Sequence, residues 1–360
     1  MVSNTQVIVY LAKRHWLTLG FVLGFITDLI LLNRVDDLVD NLILLFYVLL
    51  ATTAMFLLYL GVAERAPRFM AGWLKKYSPI LMQYAFGGLL SGMLIFYGRS
   101  GDWLASAPFL LLILGVILGN EFVGKRSDRL VYNLALYFIG LYSYIVLVIP
   151  VITGRMGDWI FIFSGILALF IVSIVVKALH YIVPNFMFVN QKRVIVTIGF
   201  IYITFNSLYF TSLIPPIPLS LTELEIVHSA ERVEEVGGYQ IVSQVQPWYR
   251  NLPFIKPVIN PVNSSIACFA RVYAPTRLET KIFHRWEYKD EVGNWQQFFR
   301  FGYDISGVND GGYGGYTVND SFFDGVWRCS VETPRGQVLG RQVVKIDSTY
   351  VEGKIESEIR

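Results

Sequence analysis

Seven long apolar runs, at 15–33, 41–62, 79–98, 103–120, 130–151, 158–180 and 194–214, limit the folds open to this chain more than any other feature. A helix needs about 20 predominantly apolar residues to cross the hydrocarbon core of a bilayer, and each run comes close to that length. The whole chain is 54% hydrophobic and 16% charged, with a mean hydropathy of +0.50, too apolar for a water-soluble protein of this size. The first run follows Lys13 and Arg14, lacks a small-residue cleavage signature and leads into further runs, so it reads as a retained anchor rather than a signal peptide.

The charges between the runs give an orientation, because cytoplasmic flanks retain Lys and Arg. Lys13 and Arg14, then Arg65, Arg68, Lys75 and Lys76, then Lys125, Arg126 and Arg129, then Lys177, Lys192 and Arg193 all fall on one side. The other side has only Arg34, Arg99 and Arg155. The N-terminus is therefore expected inside, and seven spans place everything after about residue 215 outside, in a bacterial periplasm.

The chain changes character at that point. Residues 1–220 carry 9 of the 27 carboxylates and 15 of the 30 Lys and Arg, so the last 140 residues hold most of the acid. The expected organisation is a seven-helix membrane bundle over 1–214, a stiff, extended Pro-rich strap over 215–220 (Pro215, Pro216 and Pro218), and a soluble β-rich domain over 221–360. Short alternating segments support the last part. Ile266, Cys268, Ala270 and Val272 share one strand face; Ile282, His284, Trp286 and Tyr288 share another, with Lys281, Arg285 and Glu287 opposite; Trp327, Cys329 and Val331 share a third. Several such strands in about 140 residues predict an antiparallel β-sandwich.

Two short motifs stand out between the runs: Gly98-Arg99-Ser100-Gly101-Asp102-Trp103 and Gly154-Arg155-Met156-Gly157-Asp158-Trp159. The glycines permit tight reversal, the tryptophans suit a membrane interface, and an Asp before a helix caps its first turn. The alternative is that Arg99, Asp102, Arg155 and Asp158, with Arg34-Val35-Asp36 as a looser third copy, build a basic rim. Arginine offers a two-pronged fork to phosphate, which would suit an anionic lipid or a phosphorylated glycan carrier. Within the expected spans Asp28 is the clearest ionisable residue, with Arg34 as a nearby partner, while Gln83, Ser91 and Asn206 are candidates for interhelical hydrogen bonds.

In the β region the loop 307–320, Gly-Val-Asn-Asp-Gly-Gly-Tyr-Gly-Gly-Tyr-Thr-Val-Asn-Asp, pairs flexible glycines with Tyr313 and Tyr316. These rings, with Trp286 and Trp295, could stack on a sugar or pack locally. The only cysteines are Cys268 and Cys329. An oxidising periplasm permits a disulfide between them, and buried free thiols are the alternative. His228 and His284 read first as structural histidines; an acid–base role would need convergence with Asp28 or Asp102. No Gly-x-Ser-x-Gly or His-Glu-x-x-His occurs, no clustered Cys/His spacing suggests a metal, no motif calls for a cofactor, and no basic stripe with interleaved aromatics suggests nucleic acid.

The stretches around "LIPPIPLSL", "RVYAPTRLETKIFHRWEY" and "GGYGGYT…GVWRCSVETPRGQVLG" resemble a family of bacterial polytopic inner-membrane proteins of unknown function, most specifically over 267–341. The resemblance implies the same two-part architecture, with a C-terminal domain that also occurs alone in other envelope proteins. It supplies no catalytic residue. It also implies a basic residue after the Gly-Gly-aromatic part of the loop, where this chain has Gly314. The expectation for function is an inner-membrane envelope protein whose periplasmic β-domain binds a glycan, a lipid-linked glycan or a protein partner. The rivals are an outer-face enzyme acting on a lipid-linked substrate and a lipid or glycan transporter.

Overall fold

The computed structural model describes residues 16–32, 37–119, 126–234, 237–247, 250, 255–261, 265–275, 277–307, 311–350 and 354–360. The chain divides into two compact units, Met1–Gly98 with Ala107–Ile214, and Arg99–Ser106 with Pro215–Arg360.

The first unit is helical. Seven helices are described: α1 (Trp16–Leu31), α2 (Leu38–Val62), α3 (Arg68–Arg99), α4 (Trp103–Gly119), α5 (Arg126–Thr153), α6 (Asp158–Ile182) and α7 (Pro184–Phe210). Five of them contain segments long and apolar enough to cross a membrane: Leu38–Val62, Phe69–Arg99, Arg129–Thr153, Asp158–Ile182 and Pro184–Phe210; Leu104–Val116 in α4 is a shorter apolar stretch. On α6, Phe163, Ile166, Phe170 and Ile174 form an exposed stripe at helical spacing, and Val196, Phe200 and Ile203 do the same on α7. Bare apolar stripes of this length are costly in water and suit a lipid environment.

The interior is closed by tyrosine hydroxyls and by glycines. From α5, Tyr132 donates to the Val116 carbonyl (2.8 Å), Tyr137 accepts from Thr52 on α2 (2.9 Å), and Tyr142 accepts from Asn206 on α7 (3.3 Å). Each bond satisfies a polar group that no water would reach in a bilayer, and so ties one helix to the next. Gly88 and Gly92 on α3 admit the Tyr47 ring and the Leu44 side chain so closely that a Cβ at either position would stand 2.5–2.6 Å from them.

The helices outrun the apolar windows expected from sequence. The third begins at Arg68 rather than 79, and the seventh covers Pro184–Phe210 rather than 194–214, with only Val183 between it and α6. Lys76, Lys192 and Arg193 therefore ride on helices, not in loops. Hydropathy registers only the apolar part, whereas Lys, Arg and Gln extend a helix without penalty. The Pro-rich segment also differs from the extended strap expected. Residues 214–219 are buried, the Ile217–Pro218 bond is cis, and the amides of Ile217 and Leu219 donate to the carbonyls of Pro215 (2.9 Å) and Pro216 (3.0 Å). Prolines carry no N–H, so these two amides are among the few donors in the segment, and both are used locally to make turns.

The second unit is built on eleven strands among the described residues. They are β1 (Ser220–Val227), β2 (Ser229–Val233), β3 (Gly238–Gln244), β4 (Val258–Ile259), β5 (Ile266–Tyr273), β6 (Glu279–Lys289), β7 (Trp295–Ser306), β8 (Tyr313–Asn319), β9 (Gly325–Glu332), β10 (Val338–Ile346) and β11 (Ile355–Ile359). They form three sheets, ordered β4-β10-β9-β6-β7, β1-β5-β8 and β11-β3-β2, with every pairing antiparallel except β4 with β10. One core, with Ile226, Ile266, Cys268, Trp286, Trp327, Cys329 and Val344, lies between the five-stranded sheet and β1-β5-β8. A second, with Val227, Ala230, Ile241, Ala267 and Phe269, lies between β1-β5-β8 and β11-β3-β2. The sandwich expected from sequence thus carries a third layer, and β5 is buried on both faces, as its nearly unbroken apolar run allows.

Candidate functional site

The alternation read on β6 and β9 sends two kinds of side chain to opposite faces of the five-stranded sheet. Inward, Trp286 is fully buried and its indole N–H donates to Thr317 Oγ1 (3.0 Å). Thr317 Oγ1 also lies 3.0 Å from His284 Nδ1, and Tyr303 Oη lies 3.0 Å from His284 Nε2. One consistent assignment sends the threonine hydrogen to Nδ1 and leaves the imidazole hydrogen on Nε2, directed at Tyr303. Burial lowers the His284 pKa to about 3, so the ring is neutral.

Beside it Cys268 and Cys329 are joined by a disulfide, S–S 2.08 Å, which links β5 to β9 across the two sheets. The ligand atoms of Cys268, His284 and Cys329 fall within 4.8 Å of one another. Since the sulfurs are bonded together and both ring nitrogens have partners, the trio acts as core in this state. Trp286, a sequence candidate for ligand stacking, belongs to the same core and offers no open face.

The glycine-rich loop is equally committed to packing. Successive residues of β8 face opposite sides, and a Cβ on Gly314 would stand 2.4 Å from the Tyr239 ring, one on Gly315 2.4 Å from the Tyr303 ring. Tyr239 donates to the Gly314 carbonyl (2.5 Å), and Tyr316 meets Tyr239 edge-on. Tyr313 stacks on Tyr303 at 6.4 Å. Tyr313 and Tyr316 are half-buried, and their rings brace the strand. The space that a basic residue in the resembled family would need at Gly314 is filled here by Tyr239. Residues 308–310 of this loop lie outside the described residues.

The opposite face of the five-stranded sheet holds a charged row that sequence reading did not assemble. Arg300 donates to Glu332 (2.6 Å), Arg285 lies 3.6 Å from both Glu332 and Glu287, and Arg328 donates to Glu287 (2.8 Å through Nε). The order is Arg300, Glu332, Arg285, Glu287, Arg328, alternating in sign. Its outer arginines lie over aromatic rings, Arg300 on Phe283 at 3.7 Å and Arg328 on Trp295 at 4.1 Å. Glu332 and Glu287 are buried, and shared guanidiniums offset the cost of their charge. The signal was present in sequence as charges at alternate positions of both strands, "RWE" on β6 and "RCSVE" on β9, but only the register places Glu287 opposite Arg328 and Arg285 opposite Ser330.

The two repeated turns are used differently. Asp102, within the second unit, caps the following helix by accepting from the Ala105 amide (2.9 Å). Its own amide donates to the Val338 carbonyl (3.1 Å), and its carboxylate lies 3.5 Å from Arg341. Gly101 is pressed against Pro215 and Ser106, where a Cβ would stand 2.8–2.9 Å from each. In the second copy Gly154 and Gly157 adopt positive φ, +65° and +128°, and nothing stands within 4 Å of a Cβ on Gly157. There Asp158 accepts a bond from Tyr209 (3.3 Å), and Trp159 is exposed. Arg99 and Arg155 are both exposed. Arg34-Val35-Asp36 lies outside the described residues, as do Lys13, Arg14 and Lys125.

In the helical unit Asp28 is fully buried, accepts from Tyr47 (2.7 Å) and lies within hydrogen-bond reach of Ser91 Oγ. Gln83 is buried on α3. Asn206 bonds to Tyr142 and to the Tyr202 carbonyl (2.8 Å). The hydrogen bonds of Asp28 and those of Asn206 share no residue. His228 in the β unit is buried beside Gln244, and burial lowers its pKa.

Residues 279–346 match a family described as a protein of unknown function, DUF2914. The match begins at the first residue of β6 and ends at the last of β10. It thus contains the charged row, His284 and Cys329, and leaves out the strand that carries Cys268. No curated protein and no solved structure matches the chain.

Proposed function

We propose that this is an inner-membrane protein of the bacterial envelope, with seven spans and a cytoplasmic N-terminus, whose periplasmic β unit binds an extended segment of a protein partner. The excess of Lys and Arg on one side of the apolar runs supports the orientation. The Cys268–Cys329 bridge supports a compartment outside the reducing cytosol.

The observation that carries the binding reading is β7. It closes one end of the five-stranded sheet and pairs with β6, and among the described residues no strand pairs with its other edge. The strand is twelve residues long, contains no Pro or Lys, and exposes Phe298 (40%) and Phe301 (56%) beside Gln296, Gln297 and Arg300. Long edges of this kind are normally blunted; one left open offers main-chain donors and acceptors to an added strand, and the two phenylalanines offer apolar contact to its side chains. A polypeptide fits this edge better than a glycan, because Trp286 is buried and Tyr313 and Tyr316 brace β8. An enzymatic pairing of His228 with Asp102 gains no support, since Asp102 is held by Arg341 and Ala105.

The test is a photo-crosslinking residue at Gln297 or Phe301 of the full-length protein in its native membrane, with Glu231 on β2 as control. The expected result is a polypeptide adduct from β7 alone, mapping to one extended segment of one envelope protein. Adducts that prove to be only lipid or carbohydrate, or the same adducts from β2, would overturn the reading.

A further inference from the structure

Asp28 lies on α1 among three close oxygen contacts. Tyr47 Oη on α2 is 2.7 Å from Asp28 Oδ1, Ser91 Oγ on α3 is within hydrogen-bond reach of Asp28 Oδ2, and the same Ser91 Oγ is 2.9 Å from the Gly88 carbonyl. Three separate hydrogen bonds between oxygens, rather than one hydrogen split between two acceptors, need three hydrogens. Tyr47 supplies one and Ser91 supplies one, and the Gly88 carbonyl supplies none. The group left to provide the third is the Asp28 carboxyl. With a proton on Oδ2, Asp28 donates to Ser91, Ser91 donates to Gly88, and Tyr47 donates to Oδ1, so every contact is a hydrogen bond. Without it, Ser91 must choose between Asp28 and Gly88.

The surroundings argue the same way. Asp28 is fully buried, and an ionised carboxylate there needs a cation or several donors to offset lost hydration. Among the described residues, the titratable groups that face it are Tyr47 and Asp40 from α2, and Tyr84 of α3 meets the Tyr47 ring edge-on at 5.8 Å. None of these is a cation, and Asp40, itself buried, would repel a second negative charge.

We infer that Asp28 is a proton-binding site inside the helical unit, its carboxyl carrying the hydrogen that completes the Tyr47–Asp28–Ser91–Gly88 network. The same three helices serve the unprotonated form with the loss of one bond, Ser91 to Gly88, so a proton can load or leave without a new helix arrangement. The inference does not depend on the β7 reading.

Infrared difference spectroscopy of the full-length protein in lipid at neutral pH tests it, comparing wild type with Asp28→Asn. A carboxylic acid shows a C=O stretch that a carboxylate lacks. The expected result is loss of one such band in Asp28→Asn, with the band moving in wild type on exchange into D2O. Ser91→Ala and Tyr47→Phe, which keep the carboxyl, should each retain the band and raise its frequency by removing one hydrogen bond. Loss of only carboxylate bands in Asp28→Asn would overturn the inference, and so would a band unmoved by either neighbouring substitution. If Asp28→Asn does not fold, the paired shifts in the other two variants decide the question.

Discussion

Gly315 sits directly under the ring of Tyr303, with Cε2 and Cζ each 2.4 Å from where its Cβ would be. The ring cannot swing aside without cost, because its hydroxyl is bonded to the buried His284 (3.0 Å). Gly315→Ala is therefore expected to destabilise the β unit by about 1–3 kcal/mol, the usual range for overpacking. Gly98→Ala, where nothing stands within 4 Å, should leave stability nearly unchanged. Denaturant midpoints followed by near-ultraviolet circular dichroism would separate the two. Equal midpoints would mean that the ring yields.

The Cys268–Cys329 bridge joins strands of two different sheets, and its partners are 61 residues apart in sequence. Closing so long a loop restricts the unfolded chain, and removing a native bridge costs roughly 2–5 kcal/mol in small domains. Cys329→Ser should lower the unfolding midpoint accordingly. Unreduced protein, denatured and treated with a thiol reagent, should take up no label, and reduced protein should take up two per chain. Labelling without reduction would show that the bridge does not form.

His284 makes stability depend on acidity in one direction. Its folded pKa, about 3, lies below the unfolded value near 6.5, so below pH 6.5 the unfolded chain binds a proton that the folded chain refuses. Stability is full above about pH 6.5 and falls as pH drops toward 3. By pH 5 the loss from this residue alone is about 2 kcal/mol. His284→Gln, which retains a donor and an acceptor, should flatten that slope while lowering overall stability. An unchanged slope in the variant would assign the acid sensitivity to another group.

Legibility in the sequence followed the physics of each feature. The apolar runs placed the seven described helices, because a helix long enough to cross a bilayer demands apolar length. Their ends were misplaced because a helix continues through Lys76 or Lys192 on backbone bonds that hydropathy does not register. Alternation put Trp286, Trp327 and Cys329 on inward faces, as the structure has them. It could not reveal that β5 is covered on both sides or that Tyr239 comes from a distant strand to lie over Gly314. Those facts depend on pairings between residues far apart in the chain. The charged row was hidden for the same reason, since Arg300, Glu332 and Glu287 meet only through strand register.

The repeated Gly-Arg-x-Gly-Asp-Trp turns provide the sharpest contrast between likeness in sequence and likeness in use. Asp102 caps a helix at Ala105 and lies within 3.5 Å of Arg341, whereas Asp158 accepts a long bond from Tyr209. Loss of an N-cap costs about 0.5–2 kcal/mol, and a partly exposed ion pair adds at most about 1 kcal/mol. Asp102→Ala should therefore lower the unfolding midpoint more than Asp158→Ala, whose bond from Tyr209 at 3.3 Å contributes roughly 0.5–1.5 kcal/mol. A double-mutant cycle of Asp102→Ala with Arg341→Gln isolates the ion pair. Coupling near zero would leave the cap as the whole effect of Asp102, and equal costs for the two aspartates would show that the turns are interchangeable after all.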